Sequence, residues 1–232
     1  MIKILIGLGI IIAIVLFLKK EKRDRQRRFL EHYKFLPALL KRVQKEHDYL
    51  TDEDMIKVAR ATKDYFIICH MAKGKMVAMP SEIVDVLWHE FILFTREYEQ
   101  FCKQGLGKFL HHVPTEAMSS KTQAQEGIKR AWRLACAKEG INPKHPSKLP
   151  LIFHIDTTLN IVGGFKYELN CAKKPYDSNN NSNSSCGGYC ATDIGCASGC
   201  VGESGTHSDS IFAGDGDSGG GHSCSSCGGG GD

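Results

Sequence analysis

The sequence predicts a mainly α-helical protein: an N-terminal transmembrane helix, a helical bundle with a small β-hairpin, then a disordered Gly/Ser/Cys-rich tail. Three observations predict it. An apolar run from Ile4 to Leu18 stands between Lys3 and Lys19 with no charge inside it. From Phe29 to Glu139 the apolar residues return at three- and four-residue spacing, the mark of helical faces, with no strand-like runs among them. After Cys171 glycine, serine and asparagine displace the apolar residues almost entirely. The boundaries follow as an anchor at 1–20, a basic juxtamembrane segment at 21–28, a helical domain at 29–171 and a low-complexity tail at 172–232.

A helix from Ile2 to Leu18 would be roughly 25 Å long at about 1.5 Å per residue. A hydrocarbon core is about 30 Å thick, so the segment spans it if Lys3 and Lys19 snorkel to the two surfaces. A cleaved signal peptide is the competing reading. It wants positive charge before the run and a small-residue cleavage site after it. Here the charge follows the run, and no A-x-A precedes it. Residues Lys19 to Arg28 hold seven basic and two acidic side chains. Positive charge stays on the cytoplasmic side, which puts the long C-terminal part in the cytosol and the chain in the inner membrane as a single-pass protein.

Beyond the anchor, Phe29, Tyr33, Leu36, Leu40 and Val43 form one helical stripe. Pro37 interrupts it, either kinking the helix or opening a second one. Thr51 and Asp52 read as a cap for a helix whose stripe is Met55, Val58, Ala59, Phe66 and Cys69. Pro80-Ser81-Glu82 starts a helix from Ile83 to about Gln104, stopped near Gly105 and Gly107. A further helix runs from about Lys121 to Glu139 with Ile128, Ala131, Trp132 and Ala135 on one face, closed by Gly140 and Asn142-Pro143. Leu151 to Ile155 is a short apolar run, and Asn160 to Tyr167 reads as two strands around Gly163-Gly164.

The net charge of +4 does not point to nucleic acid. The juxtamembrane belt alone carries +5, so the rest of the chain sums to −1. Such a belt fits anionic lipid headgroups rather than a basic groove. The partners expected are membrane lipid along the N-terminal helix and an unidentified protein on the domain.

The stretch Val84-Asp85-Val86-Leu87-Trp88-His89-Glu90-Phe91-Ile92-Leu93 leads through Tyr98, Phe101 and Cys102 to Gly107-Lys108-Phe109-Leu110-His111-His112-Val113-Pro114. In this pattern, VDxxWHxFIL…YxxFC…GxFLHHxP, the chain resembles the glycine-rich domain-containing protein family of plants and its uncharacterised bacterial relatives. Weaker support comes from Leu149 to Tyr167 and from the Cys/Gly-rich C-terminus, so the resemblance covers roughly half of the chain. It implies a helical domain and transfers no catalytic residues. Plant members commonly carry a second histidine two positions after the Trp-His histidine, where this chain has Phe91.

His89-Glu90 is not a zinc-protease helix, because H-E-x-x-H needs a second histidine where Leu93 stands. A site built from His89, Cys102, His111 and His112 remains a candidate. On a continuous helix Cys102 would lie about 140° around from His89, on the face of Leu87, Phe91, Phe94 and Tyr98, as a small buried apolar residue. His89 is expected to pair with Asp85, one turn before it, or with Arg96 on its other side. Trp88 and Trp132 are expected to anchor the core.

Six of the ten cysteines fall in the tail. Cys186, Cys190, Cys196 and Cys200 could close a tetrahedral zinc site and so order a segment that has no core of its own. They could equally be free thiols of a flexible segment, or serve a redox or lipidation role. Three functional classes stand side by side. The first is a membrane-anchored binding or scaffolding module of unknown biochemical activity. The second is a zinc protein using the tail cysteines or the His89/His112 region. The third is an enzyme at that same region, disfavoured because no Ser-His-Asp or Cys-His set, phosphate loop or carboxylate pair is legible.

Overall fold

The structure is a computed structural model that describes residues 2–112, 121–169, 189–191 and 194. The protein is mainly helical. Helix α1, Ile2–His32, runs without a break through the apolar segment and the basic segment. It is long and apolar enough to cross a membrane, and the residues of its apolar run Ile4 to Leu18 are exposed, apart from the partly covered Gly7, whereas Phe29 is partly and Leu30 fully buried. The same helix is therefore bare at one end and part of the core at the other.

After α1 the chain is extended through Leu36, and Pro37 takes the first position of α2, Pro37–Glu46. The proline opens a second helix rather than kinking the first, because the fixed ring suits a first turn whose N–H groups have no partner. Leu39 and Val43 are the buried face of α2. Helix α3, Asp52–Met71, begins with a capping box in which Thr51 Oγ1 accepts from Asp54 N at 3.2 Å and Thr51 N donates to Asp54 Oδ2 at 3.2 Å. The acids Asp52, Glu53 and Asp54 in its first turn suit the positive end of the helix dipole. α3 is the central helix, packed against α1, α2, α4, α6 and α7.

Helix α4, Glu82–Leu93, stops at Phe94 and is followed by α5, Thr95–Phe101, and a π-helical turn, Cys102–Leu106. The single helix expected from Ile83 to Gln104 is thus three segments. The π turn packs against α1, where a Cβ on Gly105 would lie 2.4 Å from Leu30 Cδ2, so a larger residue would force the Leu30 side chain to move. Gly107, at φ +73°, then takes the left-handed conformation that ends the turn. Tyr33, Phe66, Phe91 and Phe101 meet edge to face or tilted in this region, with centroids 4.6 Å apart for Tyr33–Phe101 and 4.7 Å for Phe66–Phe101. Pairs of this kind contribute about 0.5–1.5 kcal/mol each beyond the area they bury.

Helix α6, Lys121–Glu139, buries Ala131, Trp132, Ala135 and Ile128 as the spacing predicts, and Gly140 ends it at φ +68°. Trp132 Nε1 donates to Pro143 O at 3.0 Å, which folds the chain after α6 back onto it. Lys138 pairs with the buried Asp64 of α3 at 2.9 Å, and burial pushes that carboxyl above its usual range.

The β-hairpin is a correction. Leu151–Thr158 is helix α7, and its buried Ile152, Phe153, Ile155 and Asp156 mark a helical face. Leu151, Ile152, Phe153 and Ile155 fit a buried helix turn as well as a strand. Asn160 (φ +51°) and Gly163 (φ +74°) take left-handed conformations, and Gly164 N bonds Ile161 O at 3.0 Å, so the Gly-Gly segment is a turn without flanking strands. The strand that does form, β1, Tyr167–Glu168, pairs in parallel with β2, Tyr189–Cys190, in the register Tyr167 to Tyr189. Ala191 is buried and Ile194 packs on the core, so these residues, assigned by composition to the tail, touch the domain. Of the rest of that tail, 172–188, 192–193 and 195–232 lie outside the described residues.

Candidate functional site

Helix α4 owes its position to a partner from far along the chain. Ser81 caps it, its Oγ accepting from Val84 N at 3.3 Å. The same Oγ donates to Asp156 Oδ1 of α7 at 2.7 Å. The Asp156 carboxylate also accepts from Glu82 N at 2.7 Å and from Ile83 N at 3.3 Å. Phe165 N is its fourth donor, at 2.9 Å. A buried carboxylate at a helix N-terminus satisfies donors that the helix itself leaves free, and it favours the positive end of the dipole. Gly164 sits so near that a Cβ there would approach Asp156 Cβ to 2.8 Å.

Asp85 and His89 stand one turn apart on the α4 so fixed, and therefore on one face. The third member of the group, His112, arrives from the segment after Gly107. Its Nε2 lies 2.9 Å from Asp85 Oδ1, while His89 Nδ1 lies 3.4 Å from Asp85 Oδ2. The two imidazole rings are 4.1 Å apart between centroids. Trp88 supplies the floor, its indole meeting the His112 ring edge-on at 4.6 Å.

A buried polar relay holds the returning segment in place. Trp88 Nε1 donates to Tyr98 Oη at 3.0 Å, and the Tyr98 hydroxyl donates to Leu110 O. Phe109 packs edge-on against the Tyr98 ring at 5.2 Å. Burial pushes the Tyr98 phenol well up, so it stays a hydroxyl and can donate and accept at once. The backbone two residues before His112 is thus tied to the core beneath α4.

Of the four residues expected at this site, the structure brings His89 and His112 together and separates the others. His111 turns to the Phe109 ring, 4.8 Å away, and is exposed. Cys102 is buried beside Tyr98 and Leu110, and desolvation raises its thiol above the ordinary range. A thiol that resists ionisation is a poor metal ligand, which agrees with its expected role as a core residue. His89 does pair with Asp85, as expected. Asp85 itself is the carboxylate that the sequence reading left out of the site, although Asp and His at i, i+4 was the available signal. Of the proposed tail ligands, Cys190 has its backbone in β2, and Cys186, Cys196 and Cys200 lie outside the described residues.

The group Asp85, His89, His112 offers one carboxylate oxygen and two ring nitrogens, all within 4.8 Å of one another. It is the set among the described residues with the donors and spacing to hold a metal ion. The side chains of His112 and Asp85 are largely covered, whereas that of His89 is 52% exposed, so the group opens to solvent on one side. Comparison with protein families gives a match between residues 25–194 and the model described as UCP032817-like. No curated protein and no solved structure matches the chain.

Proposed function

We propose that this chain, which belongs to the UCP032817-like family, is a single-pass inner-membrane protein whose helical domain stands in the cytosol as a binding or scaffolding module. The observation that carries the reading is the continuity of α1. Its first half is apolar and exposed, its middle is basic, and its last turn is locked into the core through Leu30. Gln26 Oε1 lies 3.3 Å from His70 Nε2 of α3, a second tie just before the core begins. A domain held this way stands at a fixed height over the headgroups, with Lys19, Lys20, Lys22, Arg23, Arg25, Arg27 and Arg28 exposed or nearly so beside them. The match begins at residue 25, inside this helix, which fits a domain carried on a separate membrane segment.

The resemblance of Val84 to Pro114 to the glycine-rich domain-containing proteins supports the same kind of domain, helical and of unestablished biochemical activity. Membrane lipid is one partner and a protein on the domain surface the other. Nucleic acid is not expected, because the net positive charge comes from the basic segment of α1.

Membrane integration is the test. The full chain should stay in the membrane pellet at alkaline pH in carbonate and should retain residues 1–20 by intact mass. A soluble mature chain that begins near residue 20 would show that the apolar segment is a signal peptide.

A further inference from the structure

We propose that Asp85, His89 and His112 hold one divalent first-row transition-metal ion through two imidazole nitrogens and one carboxylate oxygen, with water in the remaining position. The inference rests on the site geometry alone and stands apart from membrane anchoring.

Donor chemistry comes first. Imidazole with a carboxylate suits zinc and its neighbours, iron, cobalt and nickel. Calcium and magnesium are held by oxygen ligands, which two imidazoles do not supply. Spacing comes second. Nitrogen and oxygen donors around a tetrahedral zinc lie about 2.0–2.2 Å from the ion, and hence about 3.3–3.5 Å from each other. Asp85 Oδ1 stands 2.9 Å from His112 Nε2 and Asp85 Oδ2 3.4 Å from His89 Nδ1, and with one donor atom from each residue no pair exceeds 4.8 Å. His89, the most exposed of the three, has the most room to adjust around an ion.

Preorganisation comes third. Two ligands are fixed one turn apart on a helix whose start is held by Asp156, and the third is carried by a segment tied down through Trp88, Tyr98 and Leu110. The ion therefore binds without having to fold a new element. Three protein ligands leave a coordination position for water, the arrangement of open rather than closed zinc sites. The exposed flank of His89 is where that water would sit.

The test uses the full-length chain in detergent micelles with all six tail cysteines replaced, Cys186→Ser, Cys190→Ser, Cys196→Ser, Cys200→Ser, Cys224→Ser and Cys227→Ser, titrated with Co²⁺ alone. Stoichiometric binding is expected, with d–d absorption and no thiolate-to-cobalt charge transfer. His89→Ala should keep the parent's melting curve, because its ring is half exposed. It should weaken Co²⁺ by more than about 100-fold, the upper end of what even changes behind the ligands cost. Asp85→Asn should weaken it similarly, and His111→Ala should leave it unchanged. Absence of stoichiometric Co²⁺ from the Cys-free-tail chain would overturn the proposal. So would an unchanged affinity in His89→Ala, and that variant decides the matter even if Asp85→Asn fails to fold.

Discussion

Trp88→Ala should destabilise the domain by about 3–5 kcal/mol, the usual cost of emptying an aromatic site in a packed core. The indole is 3% exposed and lies between Tyr65, at 5.1 Å, and the His112 ring. Its loss removes three kinds of support at once: volume, ring contacts and the N–H that bonds Tyr98. Such a cost is comparable to the whole stability of a small domain, and it should lower the thermal midpoint by on the order of 10 °C. Trp88→Phe keeps most of the volume and gives up the hydrogen bond, so it should cost distinctly less. Thermal unfolding of the detergent-solubilised chain, followed by circular dichroism, checks both. A Trp88→Ala chain that melts like the parent would mean that this face of α4 is a surface and not a core.

Asp156→Ala should cost about as much by a different route. Its carboxylate accepts from Ser81 Oγ, Glu82 N, Ile83 N and Phe165 N, and the residue is 3% exposed. A hydrogen bond to a charged group contributes about 1.5–3 kcal/mol, and each buried donor left without a partner costs about 1–3 kcal/mol. Water entering the gap and relaxation of the α4 start offset part of that, leaving a net loss of about 3–5 kcal/mol. Asp156→Asn should fall between the two chains, since an amide offers one acceptor oxygen where the carboxylate offers two. Because α4 carries Asp85 and His89, amide exchange in its first turn should accelerate in both variants. Unchanged exchange at Glu82 and Ile83 in Asp156→Ala would show that the cap lies elsewhere.

These two residues also show how far the sequence could be read. Trp88 was legible as a core anchor because its neighbours Val84, Leu87 and Phe91 repeat at helical spacing, and local periodicity follows from local geometry. Asp156 was not. It lies about 75 residues beyond the helix it caps, just after a short apolar run, and no local pattern reports a tertiary cap. Thr51 was readable as a cap because its box with Asp54 closes within one turn.

The candidate site divides along the same line. Asp85 and His89 are paired by the pitch of one helix, which the sequence contains. His112 joins them only because the segment after Gly107 folds back under the Trp88–Tyr98–Leu110 relay, and nothing in the spacing of His111 and His112 says which of the two turns inward. The break at Phe94 and the π turn at Cys102–Leu106 were missed for a related reason. Gly105 looked like a stop signal, whereas it marks the close approach to Leu30 of α1.

The central claim is that α1 crosses the membrane and delivers the domain to the cytosolic side. A reporter fused after Asp232 measures this most directly, one version active only in the cytosol and the other only after export. The account expects the cytosolic reporter to be active and the exported one silent, in cells where the fusion fractionates with the membrane. Activity of the exported reporter would place the domain on the other face and contradict the account.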